Sequence, residues 1–258
     1  IRDSICLLAQ FKWEIGVGGV FGLALLNKAS NITVFPCILL TFLRPGLSKK
    51  RLLGIGMMGA IATITLLPWT IRNYSITRMI IPVNSNGWWT FYLGNNPHTE
   101  KNLVALEQGI VNGWIPPKEV FQPFSDLSFA DIRTWEKRSL ALGCAFIREN
   151  PRKFLNFAFR KLKIFWSPYH HVLDKMTWYP LLLFGLIGLY FSFAFWKHHL
   201  SVYVLILATM LISIMFTSMP RFRAPVMPVM IIYSAAGFVK VFQLLKPKVR
   251  SVGETERG

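Results

Sequence analysis

Acidic residues are scarce in this chain: 12 Asp and Glu stand against 29 Lys and Arg among 258 residues, a formal net charge of +17. Charge of either sign is thin at 16%, while 53% of the residues are hydrophobic. That balance argues against an ordinary water-soluble domain, which carries more charge on its surface. Cysteine is equally sparse. Cys6, Cys37 and Cys144 allow neither a disulfide framework nor a Cys-x-x-Cys metal site, and read as packing residues. No recognisable nucleic-acid-binding module accompanies the positive charge. The cations instead cluster at the ends of apolar runs and on one amphipathic segment. Attraction to a membrane surface accounts for that distribution, and nucleic acid is not an expected partner. Internal repeats and low-complexity tracts are absent as well.

What the chain does have is long uncharged runs. Residues 52–71, 176–196 and 200–220 carry no charge, each over about 20 residues, the length that crosses a hydrocarbon core. The run 224–239 is shorter, but Lys240 can snorkel and let its helix continue to Leu245. Two further runs, 15–27 and 29–43, are interrupted by Lys28. One helix over both would overshoot the bilayer, so a pair of short helices meeting at a polar turn is expected. The fold class expected is therefore an all-α integral membrane protein, a multipass helical bundle with a mainly helical extracytoplasmic loop domain.

Short basic loops stay in the cytoplasm. Residues 44–51, with four cations, fix the first such loop; Lys197-His198-His199 and the tail bearing Lys246, Lys248 and Arg250 then fall on the same side. This gives four regions: 1–71, a short helix pair plus one full span; 72–175, an extracytoplasmic loop domain; 176–245, three transmembrane helices; and 246–258, a basic cytoplasmic tail. The chain begins at Ile1, at the edge of a membrane segment, and is read as the C-terminal part of a longer protein.

The loop domain is turn-rich at its start, around Asn84-Ser85-Asn86-Gly87 and Gly94-Asn95-Asn96-Pro97, and helical afterwards. Ser128 and Asp131 resemble a capping box for a helix through Ile132, Trp135, Leu142 and Phe146, and Asn150-Pro151 reads as a cap followed by Pro at the first helical position. The next helix has an apolar stripe of Phe154, Leu155, Ala158, Phe159, Leu162, Phe165 and Trp166, with Arg152, Lys153, Arg160, Lys161 and Lys163 on its other face. Such a helix suits a bilayer surface, or packing on the loop domain.

Three groups of residues could carry binding chemistry. Arg221 and Arg223 stand between two apolar runs, where guanidinium groups can grip phosphate oxygens or anchor to lipid headgroups. Lys28 is a cation between apolar segments beside a helix start, which suits an anion, or equally a lysine snorkelling to an interface. Asn84, Asn86, Asn95 and Asn96, with Trp88, Trp89, Phe91 and Tyr92 between them and Arg72 nearby, combine amides with flat aromatic faces. Sugars are bound that way, though each Asn is also a good turn former. His170-His171 with Asp174 is too small a set for a metal site, so no metal site is assigned. Asp126, Asp131, Glu136 and Glu149 fall on solvated helical faces, and none reads as a general base. No cofactor is assignable, although a divalent metal requirement stays open.

Taken in order, Gly22-Leu23-Ala24-Leu25-Leu26-Asn27-Lys28, Pro68-Trp69…Arg72-Asn73-Tyr74, Asn86-Gly87…Tyr92-Leu93-Gly94-Asn95-Asn96-Pro97, Arg148-Glu149-Asn150-Pro151…Phe165-Trp166 and Pro220-Arg221-Phe222-Arg223-Ala224-Pro225 form a set. Over about residues 15–245 it resembles the C-terminal half of bacterial GT-C glycosyltransferases of the protein-mannosyltransferase-like and aminoarabinose-transferase-like kind. The resemblance implies a site on the extracytoplasmic face of the bacterial cell membrane. It also implies a polyprenyl-phosphate-linked sugar donor and a lipid, glycan or protein acceptor. Arg221 and Arg223 match the family's Arg-x-Arg before its last span, and Lys28 takes the place of its basic residue at the short-helix turn; all three are implied donor-phosphate contacts. Asn84, Asn86, Tyr92, Asn95, Asn96 and Arg72 are the expected sugar or acceptor wall. The family's catalytic Asp is expected upstream of Ile1, which leaves the catalytic residue unassigned and the fragment inactive alone. Many relatives have Arg-Pro where this chain has Lys28-Ala29. Two other readings remain: a multipass transporter, and a non-catalytic membrane scaffold with an external interaction domain.

Overall fold

A computed structural model describes residues 11–43, 48–109, 116–128, 131–168 and 171–245. Ile1, Cys6, residues 44–47 of the basic turn, His170 and the tail 246–258 lie outside the described residues. Every regular element among the described residues is helical. Three helical stretches are long and apolar enough to cross a membrane: Lys49–Thr77, Val172–Met215 and Pro220–Leu245. The chain forms two compact units, Ile1–Ser167 with Leu200–Pro225, and Pro168–His199 with Val226–Gly258, a division that cuts the chain differently from the four sequence regions.

In the first unit, α1 (Lys12–Asn27) ends where Lys28 turns extended. The amide of Asn31 reaches back 2.7 Å to the Ala24 carbonyl, which also accepts from the Lys28 N–H at 3.0 Å, so the turn is tied to the last turn of the helix. A 3-10 turn (Ala29–Val34) then leads into α2 (Phe35–Leu43), so the two short helices meet at a polar turn. The next helix, α3 (Lys49–Thr77), is opened by the Ser48 hydroxyl, which accepts from the Arg51 N–H, and it packs along α1. It runs six residues beyond the uncharged run that announced it and stops at Arg78, whose φ of 55° is left-handed. Near its end, Trp69 Nε1 donates to the Val83 carbonyl at 2.8 Å and Asn73 Nδ2 to Ile81 at 2.9 Å. These two bonds draw the segment carrying Asn84 and Asn86 back against α3.

Four longer helices and one short one follow: α4 (Gly87–Gly94), α5 (Thr99–Glu107), α6 (Lys118–Phe121), α7 (Ile132–Glu149) and α8 (Pro151–Trp166). Two apolar clusters hold them. Tyr92, Val120, Phe124 and Trp135 form one, and Leu103, Leu106, Phe146, Phe157 and Ile164 the other. The cap of α7 is Asp131 itself, accepting from Thr134 N–H at 3.2 Å, rather than Ser128. Pro151 does open α8, while the Asn150 amide turns back to the Phe146 carbonyl. The long α10 (Trp196–Met215) follows α9 (Val172–Ser192) through a 3-10 turn at Phe193–Phe195. Lys197, His198 and His199, expected as a loop, thus lie in the first turn of a helix. The tightened backbone makes the junction without leaving helical geometry.

The second unit is built on α9 against α11 (Met227–Leu245). Close approach explains its glycines. A Cβ on Gly188 would lie 2.0 Å from the Tyr233 carbonyl oxygen, and one on Gly237 2.0 Å from that of Phe184. The outward residues Leu183, Leu186, Tyr190, Ile231 and Ile232 are apolar and exposed, the reverse of a water-facing helix.

Candidate functional site

A cavity of about 380 Å³ opens in the first unit. The turn after α1 supplies Lys28, Ser30 and Thr33; the segment before α4 supplies Asn84 and Asn86, and α4 itself Thr90; the last turns of α10 supply Thr209 and Ser213, and the residues just after it Phe216 and Thr217. Phe222 completes the wall. Hydroxyls and amides therefore alternate with a few apolar surfaces around a single cation. Such a lining matches a ligand bearing both hydrogen-bond donors and acceptors.

Phe222 carries two cations. Lys28 Nζ lies 4.8 Å from its ring centroid, and the exposed Arg221 guanidinium 5.6 Å from the same centroid. Aromatic faces attract cations. Two like charges at one ring also repel each other, and an anion between them would relieve that.

The structure divides the sequence-derived candidates into three groups. Lys28, Asn84 and Asn86 line the cavity, with Arg221 beside it. Arg72 remains on the exposed surface of α3 over the Trp69 ring, at 5.1 Å, outside the lining. Tyr92, Asn95, Asn96 and Arg223 are buried and hold the frame. Tyr92 packs into the aromatic cluster against Trp89 and Phe124. Asn96 Nδ2 donates to the Tyr92 carbonyl and its Oδ1 accepts from His98 N–H, both at 2.8 Å, closing the end of α4. Arg223, 7% exposed, donates to the carbonyls of Phe165, at 3.0 Å, and Ser167. A guanidinium there satisfies the open acceptors at the end of α8 and meets the negative end of its dipole.

Two residues matter that the sequence placed on solvated faces. Lys161 has no exposed surface; its Nζ donates to the Ile214 carbonyl at 2.9 Å and to Asn95 Oδ1 at 3.5 Å. Asn95 Nδ2 in turn donates to Met215 at 2.7 Å, and Ser218 Oγ to the Lys161 carbonyl. The last turn of α10, whose neighbouring residues form the cavity wall, is thereby tied to α8 and to the end of α4. Burial pushes the Lys161 amine down to about 7. Gly94 makes room for this knot: a Cβ there would meet the Phe216 carbonyl oxygen at 2.4 Å.

Glu136 is the second. Its carboxylate accepts from Trp88 N–H at 2.8 Å and Trp89 N–H at 3.3 Å, capping α4 from 48 residues away. Burial raises its pKa, and the two N–H donors oppose that rise. No local pattern announces a cap so distant in sequence. His171 is also a cap, accepting from Leu173 N–H at the start of α9. Among the described residues, no three His, Cys, Asp or Glu are grouped to hold a metal ion. No protein-family model, curated protein or solved structure matches the chain.

Proposed function

We propose that the chain crosses a bacterial membrane several times and that its cavity receives the head group of a polyprenyl-phosphate-linked sugar. The reaction served is transfer of that sugar to a lipid, glycan or protein acceptor on the extracytoplasmic face. One observation carries the reading: two cations share the Phe222 ring beside a cavity lined by amides and hydroxyls. Lys28 and Arg221 would hold the phosphate. As the bond from the sugar's anomeric carbon to phosphate oxygen breaks, negative charge builds on the departing phosphate, and fixed cations lower the energy of that state. Asn84, Asn86, Thr90 and Ser213 would meet the sugar hydroxyls. The apolar stretches and their exposed apolar faces support the membrane reading, since a polyprenyl chain must be reached from within a bilayer.

A scaffold without a binding role has no use for such a cavity. The test is binding of a polyprenyl monophosphate to the purified protein in detergent, with the phosphate-free polyprenol as control. Lys28→Gln should weaken binding about tenfold, the worth of one charge-assisted contact. Equal binding of phosphate and alcohol, or an unchanged affinity in the variant, would overturn the assignment.

A further inference from the structure

The helix α8 has two unlike sides. Phe157, Lys161, Ile164 and Phe165 are buried among α5, α7 and the end of α10. The apolar stripe read from the sequence is therefore split: Phe165 turns inward, while Leu155 and Phe159 stand 66% and 72% exposed. These two are one turn apart, on a line that runs Arg152, Leu155, Phe159, Lys163 at spacings of three and four residues. Lys153 and Asn156 flank the line and are exposed too. Arg160 is occupied by Glu107, in two hydrogen bonds at 3.0 and 2.8 Å, and by Glu100. No acidic residue lies anywhere in α8.

We propose that this line of α8 is a docking surface for an acidic lipid bilayer, with Leu155 and Phe159 entering the headgroup–acyl boundary and Arg152, Lys153 and Lys163 contacting anionic headgroups. Charge complementarity selects this occupant: an apolar pair bracketed by cations with no carboxylate among them suits anionic lipid. Chain connectivity agrees. Trp166, the end of α8, precedes by six residues in sequence Val172, the start of an apolar stretch long enough to cross a membrane. The inference rests on the membrane reading above and is independent of sugar transfer.

Depth-dependent quenching tests it. The full chain, with native cysteines replaced by serine, is reconstituted into vesicles as Phe159→Cys or Leu183→Cys, each carrying an environment-sensitive fluorophore. The lipids carry a quencher near the headgroup or deep in the acyl chain. A label at position 159 should be quenched at least threefold more by the shallow quencher, in vesicles one-third phosphatidylglycerol. That quenching should fall at least threefold in pure phosphatidylcholine, or when Arg152, Lys153 and Lys163 are all changed to Gln. The label at 183, on an exposed apolar position of α9, should respond to the deep quencher. If 183 is deep while 159 stays aqueous, the docking surface is refuted and the membrane reading stands. If neither label meets lipid, both fall. Quenching at 159 that ignores lipid charge also overturns the proposal.

Discussion

Raising the pH from 7 to 9 should stabilise the folded chain by about 2 kcal/mol through Lys161 alone. Its ammonium has no exposed surface, and its partners are a carbonyl and an amide oxygen, with no carboxylate. Burial accordingly holds its pKa at about 7, below the ordinary lysine value of 10.5. The sign follows from linkage. Between those two values the unfolded chain keeps a proton that the folded chain has released, so rising pH favours folding. Below about 7 both states hold the proton and the slope vanishes. Each pH unit contributes ~1.4 kcal/mol, and the half-charged state at the start trims two units to about 2 kcal/mol. Lys161→Met keeps the length of the side chain and removes the titration. Exchanging a buried charge for an apolar group of similar shape is often neutral or favourable, against about 1 kcal/mol for the lost bond to Ile214. The assay is guanidinium unfolding in detergent, followed by tryptophan fluorescence at pH 7, 8 and 9. The wild-type chain should gain about 2 kcal/mol more than the variant across that range. Parallel pH profiles would refute the reasoning, because they require a Lys161 that is hydrated or paired in the folded state.

Three other outcomes are expected. Gly188→Ala should cost about 1–3 kcal/mol or more by forcing α9 from α11, which a drop in the unfolding midpoint would register; an unchanged midpoint would mean the two helices do not touch there. Arg78→Gly should raise stability by about 1 kcal/mol by relieving a left-handed residue with a side chain, and a lower midpoint would contradict that backbone geometry. Arg223→Ala should cost about 2–3 kcal/mol, having removed a charged donor from two carbonyls, while leaving polyprenyl phosphate affinity within twofold. A large affinity loss without destabilisation would place Arg223 in the site instead.

The helical class of this chain was legible because uncharged runs near 20 residues admit few other readings. The break at Lys28, and Pro151 at the head of α8, were equally local signals and appear where expected. Cavity residues were legible in part. Lys28, Asn84 and Asn86 drew attention as polar groups beside apolar segments, and they do line one space. Ser213, Thr209 and Thr217 did not, since a hydroxyl within an apolar run looks like any small helix residue. The roles of Lys161, Glu136 and Arg223 were hidden for a different reason. Each satisfies backbone groups of an element 48 to 58 residues away, and helical periodicity reports only which face a side chain occupies, never what docks against it.

The knot of Lys161, Asn95 and Ser218 has one more consequence. Its side chains clasp main-chain carbonyls and line no part of the opening, whereas Asn84 and Ser213 border it and take no part in that knot. Scaffold and lining are thus separate sets of residues. The lining can be re-lettered, by evolution or at the bench, to admit a different ligand while the clasp keeps its shape.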